Sequence, residues 1–256
     1  MRISVSFLIA ALAVYACLCG IMFLTQRSQI YFPPAESHAP GARDVRLERD
    51  GVTLKLWVVP RDGPRALIYF GGNAEDVAGD ISGFTRAFPH HSLYLVNYRG
   101  YGGSTGKPTE RGLYADARAV HEYVAARHPS IDVMGRSLGA GVAVHLASER
   151  PVSRLVLVTP FDSLVSVARN YFRFFPVGLL LRDRYDAARH AAAVTAPVLV
   201  VIAGEDEIIP RARSDALASA FPTGQARVAV IDHAMHNSLD LSPEYLGTVQ
   251  AFLNGP

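Results

Sequence analysis

The chain has 256 residues, and its 25 basic and 23 acidic side chains leave a formal net charge of +2. This length fits one sizeable domain with a short additional segment, and so mild a charge argues against a nucleic-acid-binding protein. Cys17 and Cys19 both lie in an apolar N-terminal run, which excludes a disulfide framework or a thiolate metal site in the rest of the chain. We predict a protein that needs neither a cofactor nor a metal ion.

The first predicted element is a membrane-spanning helix. Residues 3–24 are almost all apolar, and at about 1.5 Å per residue they span the roughly 30 Å of a hydrocarbon core. Because this run exceeds the apolar region of a usual signal peptide, we predict a retained single-pass anchor over residues 1–26, with a cleaved signal sequence as the alternative. Arg2 favours a cytoplasmic N-terminus, so we expect the remaining chain on the non-cytoplasmic side. Basic residues beyond the run weaken this bias: Arg27, Arg43, Arg46 and Arg49.

Residues 27–43 follow the apolar run and are predicted to form an extended tether. Residues that break regular structure recur there: Pro33, Pro34, Pro40 and Gly41. Within this stretch, residues 30–32 are either plain linker or a segment that docks on the following domain.

Residues 44–256 alternate strand-like and helix-like segments, which predicts one α/β domain. The strand-like segments are short and rich in Val, Ile and Leu, as expected for buried strands. The predicted strands are 45–48, 53–59, 66–70, 92–98, 131–134, 154–159, 198–203 and 227–231. The predicted helices lie near 74–88, 110–128, 138–149, 211–220 and 243–253. This alternation predicts a mostly parallel central sheet with helices on both faces.

Residues 162–190 interrupt the alternation and are predicted to form a short cap or helical insertion between two strands. The segment carries aromatic residues within 171–175 and a run of leucines at 179–181. It is either an ordinary packed helix or an apolar element that forms the wall for an acyl chain or a membrane-facing lip.

A G-x-S-x-G pentapeptide, Gly135-Arg136-Ser137-Leu138-Gly139, lies between a predicted strand and a predicted helix. Glycines on both sides of Ser137 permit a sharp turn in which the strand and helix backbones pass close together. Such a turn lifts the serine hydroxyl clear of the sheet. The pattern alone is weak, but in a strand–turn–helix setting it favours Ser137 as a nucleophile.

A serine nucleophile needs a base within hydrogen-bond reach, and that base needs an acid to orient it. We predict His236 as the base, because it follows the last predicted strand in a loop that returns over the edge where Ser137 is expected. His233, in the same loop but nearer the strand end, is the competitor.

The predicted acid is Asp206, in the acidic loop that follows strand 198–203. Functional residues concentrate at the carboxyl ends of strands in parallel sheets, which is where this loop begins. Its neighbours Glu205 and Glu207 are the alternative acids. If none of the three is catalytic, the acidic loop only caps the next helix.

The tetrahedral intermediate of acyl transfer carries an oxyanion, which needs two backbone N–H donors. Leu138, directly after the serine, supplies one of them. The loop after strand 66–70 begins Gly71-Gly72-Asn73, and adjacent glycines let its backbone aim the Asn73 N–H inward. We therefore predict an oxyanion hole formed by Asn73 and Leu138, with a glycine turn before the next helix as the alternative.

Taken together, these motifs resemble the α/β-hydrolase superfamily, and more narrowly its membrane-anchored Bem-type and serine-aminopeptidase-like hydrolases. The matching stretches are 69–74, 97–102, 135–139, 204–210 and 235–237, in the Ser–Asp–His order of α/β-hydrolases. The resemblance implies an α/β-hydrolase fold and hydrolysis of esters or thioesters, since the group includes esterases and thioesterases that deacylate proteins. The chain departs from its relatives at Gly71, where they usually carry histidine.

The expected function is a membrane-anchored serine hydrolase that cleaves a carboxylic ester or thioester through an acyl-enzyme intermediate, on a lipid-like or acylated substrate. Ser137 is expected to attack, His236 to carry the proton and Asp206 to orient His236. The expected partners are this substrate and the membrane. Two alternatives stay open: a non-catalytic α/β-hydrolase scaffold, and an aminopeptidase-type hydrolase, which needs an acidic anchor for the substrate amine.

Overall fold

An eight-stranded sheet lies at the centre of the computed structural model, which describes residues 5–255. The strands are β1 (Arg43–Arg49), β2 (Val52–Val59), β3 (Arg65–Phe70), β4 (Ser92–Val96), β5 (Ser130–Arg136), β6 (Arg154–Val158), β7 (Val198–Ala203) and β8 (Ala226–Ile231). Their spatial order is β1-β2-β4-β3-β5-β6-β7-β8. β1 and β2 are antiparallel to their neighbours, whereas β3 to β8 run parallel. The strand order reverses at β3 and β5, so a crevice is expected at their carboxyl ends.

The strands follow the sequence pattern closely. The hairpin of β1 and β2 turns at Asp50 and Gly51, whose positive φ angles of 52° and 75° suit a type I′ turn. Every residue of β7 is buried. Its unbroken Val, Leu and Ile composition reflects burial on both faces of a parallel sheet, rather than the alternation of a half-exposed strand.

Helices cover both faces of the sheet. The helices that follow the N-terminal one are α2 (Ile81–Ala87), α3 (Glu110–Ala125), α4 (Leu138–Glu149), α5 (Leu164–Tyr171), α6 (Val177–Leu180), α7 (Ala187–Ala191), α8 (Arg211–Ala220) and α9 (Pro243–Asn254). Leu113 of α3 and Val142 of α4 belong to the apolar core on one face, and Phe84 of α2 and Leu253 of α9 to the core on the other. The predicted mostly parallel sheet with helices on both faces is therefore confirmed.

The helix predicted near 74–88 is shorter in the structure. Residues 77–80 form a 3₁₀ turn, in which the Asp76 carboxylate accepts a hydrogen bond from the Ala78 N–H at 3.1 Å. The N–H of Gly72 donates to the Glu75 carboxylate at 2.8 Å. These side-chain acceptors satisfy backbone donors outside a helix, so residues 71–76 stay in a loop.

The insertion predicted near 162–190 is present between β6 and β7 as α5, α6 and α7; we call residues 162–190 the cap. The cap is divided into short helices because Pro176, which directly precedes α6, cannot continue a helix from the residues before it. Large apolar side chains of the cap, among them Phe174 and Leu179, are exposed. We call residues 172–179 the cap tip.

The N-terminal helix, α1 (Val5–Ile30), extends beyond the predicted anchor end at residue 26. The stretch 27–30, predicted to be part of an extended tether, is thus helical, and residues 31–42 are irregular up to β1. α1 is long and apolar enough to cross a membrane. Its most apolar 18-residue stretch has a mean hydropathy of 2.6, and none of that stretch is buried in the protein. The predicted start of the anchor, including Arg2 and residue 3, lies outside the described residues.

Candidate active site

Ser137 occupies a strained turn between β5 and α4, with φ 51° and ψ −114°. A Cβ at Gly135 would overlap the carbonyl oxygen of Gly139, and a Cβ at Gly139 would overlap that of Phe70. Both glycines are therefore required by close backbone contacts, which is the physical content of the G-x-S-x-G pattern. The serine itself is partly exposed, so its hydroxyl is accessible.

A chain of hydrogen bonds leads from the serine to a buried carboxylate. His236 Nε2 lies 3.1 Å from Ser137 Oγ, and His236 Nδ1 lies 3.0 and 2.8 Å from Asp206 Oδ1 and Oδ2. The side chains of His236 and Asp206 are only 6% and 3% exposed. Asp206 Oδ1 also accepts the N–H groups of Ile208 and Ile209 at 3.0 and 2.7 Å, which fixes the carboxylate opposite the imidazole.

The competing residues lie elsewhere. The side chain of His233 is 90% exposed, and its Nδ1 lies 3.0 Å from Glu205 Oε1. This hydrogen bond raises the pKa of His233. Glu207 accepts the backbone N–H of His236 at 2.9 Å, so it supports the histidine loop rather than the imidazole. Of the two histidines considered from sequence, it is His236 that lies beside Ser137.

The predicted oxyanion donors lie on the wall of the same pocket as Ser137. A Cβ built on Gly72 would lie 3.9 Å from Ser137 Cβ, so the loop after β3 lies close to the serine. Leu138 is the first residue of α4, so its N–H has no acceptor within that helix. Within residues 5–255, the N–H of Asn73 also has no hydrogen-bond acceptor.

Residues 71–76, which we call the oxyanion loop after its predicted role, are hydrogen-bonded to the end of α1. The carbonyl oxygen of Asn73 accepts hydrogen bonds from the Tyr101 hydroxyl at 2.7 Å and from the Phe32 N–H at 3.0 Å. Its side-chain Nδ2 donates to the carbonyl oxygen of Ile30 at 2.9 Å. Both the backbone and the side chain of Asn73 are thus held in place, which pre-orients its N–H.

The pocket at this edge of the sheet has a volume of about 540 Å³. Ser137 and His236 lie on its wall together with Asn73, Leu138 and residues of the cap. In the part of the chain that the structure describes, no three His, Cys, Asp or Glu side chains are close enough together to hold a metal ion. The wall of the pocket thus brings together a serine hydroxyl, an imidazole and the backbone N–H groups of Asn73 and Leu138.

The sequence profile of the family named Serine hydrolase (FSH1) matches residues 85–236, more than half of the chain. The chain belongs to this serine hydrolase family. The match includes the pentapeptide of Ser137 and ends at His236, so it covers the nucleophile turn and both loops that contribute to the hydrogen-bonded chain.

Relatives of this serine hydrolase extend the match along the chain. An uncharacterized protein of Mycobacterium tuberculosis is 38% identical over 86% of this chain and 84% of its own length. Protein bem46 of Schizosaccharomyces pombe is 27% identical over 95% of this chain and 91% of its own, which confirms the Bem-type resemblance. The Pyrococcus furiosus esterase Pf2001 shares the fold with a TM-score of 0.72 and 18% identity, covering 88% of this chain and 98% of the esterase.

Sequence reasoning missed an ion-pair network around the buried Arg136, beside the serine of this hydrolase. Arg136 Nη1 lies 2.8 Å from Asp240 Oδ2 and 3.7 Å from Glu75 Oε2, and its Nη2 donates to the carbonyl oxygen of His236 at 3.1 Å. Arg136 therefore links the nucleophile turn to the oxyanion loop and to the histidine loop. The available signal was a charged residue at the end of a buried strand, where an unpaired charge is unfavourable.

Gly71, the position at which this serine hydrolase departs from its relatives, is enclosed by side chains. A Cβ there would lie 2.8 Å from Val77 Cγ1 and 2.9 Å from Glu75 Oε1, so any side chain would require both neighbours to move. The Tyr98 hydroxyl donates to the Gly71 carbonyl oxygen at 2.7 Å. Glu75 and Tyr98 thus hold the loop in the absence of the histidine.

The carboxyl group of Asp80, beside Glu75 in this network, keeps its proton. Burial, followed by the neighbouring Glu75 carboxylate, raises the pKa of Asp80 to about 9. A protonated Asp80 beside Glu75 avoids two adjacent carboxylate charges and leaves Glu75 to pair with Arg136. Arg136 is therefore the cation that faces the carboxylates of both Glu75 and Asp240.

Proposed function

We propose that this serine hydrolase cleaves a carboxylic ester or thioester through Ser137, His236 and Asp206. The observation that carries the proposal is the continuous hydrogen-bonded chain from Ser137 Oγ through both imidazole nitrogens to the buried Asp206 carboxylate. This is the arrangement that an acyl-transfer nucleophile requires, because a serine hydroxyl is weakly nucleophilic without an oriented base.

In the acylation step, Ser137 Oγ forms a bond to the carbonyl carbon of the substrate and its proton moves to His236 Nε2. The carbonyl π electrons move to the oxygen, where the N–H groups of Leu138 and Asn73 stabilise the oxyanion. Collapse of this intermediate breaks the bond to the alcohol or thiol, which takes the proton from His236. Asp206 stabilises the imidazolium without accepting its proton.

In the deacylation step, a water molecule gives its proton to His236 Nε2 and its oxygen attacks the acyl carbon. The second tetrahedral intermediate uses the same oxyanion donors, and its collapse returns the proton to Ser137 Oγ. The products are a carboxylic acid and the regenerated hydroxyl. All the groups involved belong to the chain, apart from the substrate and water.

We further propose that α1 is a single-pass membrane anchor, with its N-terminus cytoplasmic and the catalytic domain on the other side. Its length and hydropathy support insertion, and the division into an anchor, a connecting segment and a hydrolase domain follows from it. Resistance of the protein to alkaline extraction from membranes supports insertion. Cleavage of the domain by protease added only to the non-cytoplasmic side supports the orientation, and cleavage from the cytoplasmic side contradicts it.

A fluorophosphonate probe, which reacts covalently with activated serines, tests the catalytic proposal. Wild-type protein is expected to be labelled, and Ser137→Ala to lose the label. Ser148→Ala is the matched control, because Ser148 lies on α4 and its hydroxyl donates only to the carbonyl oxygen of His145. Labelling that persists in Ser137→Ala overturns the assignment, and absence of labelling in the wild-type protein favours the non-catalytic scaffold.

The aminopeptidase alternative lacks support at the pocket wall. The acidic side chains among the described lining residues, Glu75 and Asp240, are both within ion-pair distance of Arg136. An aminopeptidase needs a carboxylate that is available to the substrate amine, and these two are already paired. Ester hydrolysis without release of amino acids from aminoacyl anilides is therefore expected.

A further inference from the structure

A second cavity, of about 220 Å³, lies between α1 and the cap and adjoins the pocket of Ser137. We call it the acyl groove. Gln29, Ile30, Leu164 and Val167 line both cavities, so the two share one wall. The groove is therefore the cavity directly beside a ligand whose reacting carbon lies at Ser137.

The wall of the acyl groove is mostly apolar, and the polar group of Gln26 in this wall already has hydrogen-bond partners. Gln26 contributes to the lining, but its amide is used inside the junction: Nε2 donates to the carbonyl oxygens of Phe23 and Leu180, and Oε1 accepts the N–H of Arg182 at 2.7 Å. Satisfied polar groups offer little to a polar ligand. Most of the other lining side chains are aliphatic or aromatic, so the groove suits a hydrocarbon chain.

The cap extends along the apolar part of α1. The Tyr15 hydroxyl donates to the Phe174 carbonyl oxygen at 2.8 Å, and the Tyr15 ring stacks on Phe175 with a centroid distance of 5.9 Å. At about 1.5 Å per residue, Tyr15 lies roughly 18 Å along the helix axis from Arg27. When α1 spans the membrane, the cap tip that contacts Tyr15 therefore reaches the apolar layer.

The surface of the cap tip suits that layer. Phe174 is 89% exposed and Leu179 is 86% exposed within one short stretch of the chain, and exposed apolar patches are typical of a membrane or partner contact. Arg173 is the charged residue between the tip aromatics, and its long side chain can reach lipid headgroups. The continuation of this surface along the apolar helix identifies the lipid bilayer as what covers it.

We infer that the acyl groove binds the long acyl chain of the substrate, which enters sideways from the membrane between α1 and the cap. The substrate class is an ester or thioester of a long unbranched acyl chain held in the bilayer. This inference rests on the proposed function, because it takes Ser137 as the nucleophile. It adds which part of the substrate is recognised and from which side it arrives.

Filling the groove tests the inference in the full-length protein in detergent micelles, with p-nitrophenyl butyrate and p-nitrophenyl palmitate as substrates. Ala168 lines the groove but not the Ser137 pocket, so Ala168→Trp obstructs only the groove. Met22→Trp obstructs it from the α1 side, as a second variant. We expect each to lower the palmitate-to-butyrate ratio of kcat/KM at least tenfold.

The control is Ala126→Trp, an exposed position at the end of α3, on the opposite edge of the sheet from Ser137. Its ratio is expected to equal that of the wild-type protein. An unchanged ratio in both groove variants overturns the inference while leaving the proposed function intact. A wild-type protein that hydrolyses neither ester and resists the fluorophosphonate probe overturns the proposed function instead.

Fluorescence quenching tests the sideways entry separately. The chain has 1 tryptophan, Trp57, which is buried in the core and gives a constant background. In phosphatidylcholine vesicles with brominated acyl chains, Phe174→Trp is expected to lose at least half of its added emission, and Ala126→Trp to lose none. Equal emission of Phe174→Trp in brominated and ordinary vesicles contradicts an immersed cap tip.

Discussion

The catalytic edge of the sheet and the junction between α1 and the cap are built in different ways. At the catalytic edge, loops that follow parallel strands bring Ser137, Asp206 and His236 into one chain of hydrogen bonds. At the junction, a few polar contacts such as that of Gln26 fix the position of two otherwise apolar surfaces. In the proposed function, the first region selects the bond that is broken, and the second selects the molecule that reaches it. A fold can therefore keep one chemistry while its substrate changes.

The largest expected effect is at the catalytic edge. His236→Ala is expected to lower kcat/KM for p-nitrophenyl butyrate by about 10⁴-fold or more, because the members of a triad act as a unit. His233→Ala is the matched control and is expected to stay within about twofold of the wild-type rate, because replacing an exposed side chain has little effect on the rest of the protein. Loss of activity in His233→Ala with retention in His236→Ala would reverse the assignment.

Asp206→Asn is expected to lower kcat by about 10³- to 10⁴-fold, because an amide holds the imidazole in the wrong tautomer. Glu205→Gln, one residue earlier and bonded to the exposed His233, is expected to leave kcat within about twofold. Steady-state kinetics on the two variants measure the difference. Equal losses in both would mean that the negative charge of the loop matters rather than the bond to His236.

Arg136→Met is expected to lower kcat about 10²-fold, because small displacements of the reacting groups have effects of this size. The variant also removes the cation that faces the mostly buried Glu75 carboxylate and the exposed Asp240 carboxylate, so its Tm should fall as well. Arg118→Met, which breaks a surface ion pair with Glu149, is the control and should change neither quantity measurably. A normal kcat in Arg136→Met would show that the three loops hold their positions without it.

At the junction, Gln26→Leu is expected to have a smaller effect. It leaves the Leu180 carbonyl and the Arg182 N–H without partners, at a free-energy cost of about 1–3 kcal/mol. The amide hydrogen of Arg182 should then exchange about tenfold faster, measured by hydrogen–deuterium exchange. Gln29→Leu, in which the exposed Gln29 loses only its bond to Thr25, is the control. Unchanged exchange in Gln26→Leu would mean that apolar contact alone holds the junction.

The smallest expected effect depends on pH. Because the pKa of Asp80 is raised to about 9, the folded protein keeps a proton that the unfolded chain releases above about pH 4. This contribution makes stability fall as pH rises from about 4 to 9. Asp80→Asn does not titrate, so its Tm relative to wild type should rise as the pH increases across that window. If the Tm of Asp80→Asn falls relative to that of the wild-type protein as the pH rises, the prediction is wrong.

Strand ends explain why much of the catalytic edge was predictable. Ser137, Asp206 and His236 each follow a strand of the parallel part of the sheet, and parallel strands bring their carboxyl ends to one edge, so sequence position translated into spatial proximity. The Arg136 network was not predictable, since its partners come from loops whose mutual distances depend on the whole fold. The catalytic roles of Ser137, Asp206 and His236 are predictions that the kinetic comparisons above test.

The junction was less predictable for a different reason. Gln26 and Arg27 look like the end of an apolar run, yet α1 continues to Ile30. The continuation is stabilised by partners more than 150 positions away along the chain: Arg27 forms an ion pair with Asp183 at 2.8 Å. Local composition carries no information about such partners, so the helix end was placed too early.

The bonds from Asn73 to Ile30 and Phe32 have a practical consequence for anyone who purifies this protein. A shortened chain that begins after the N-terminal helix, the usual route to a water-soluble enzyme, would lose the Ile30 carbonyl and place Phe32 at a frayed end. Rates measured on such a chain would describe an enzyme whose oxyanion loop has lost part of its support. The detergent-solubilised full-length protein is therefore the proper reference preparation for every kinetic comparison.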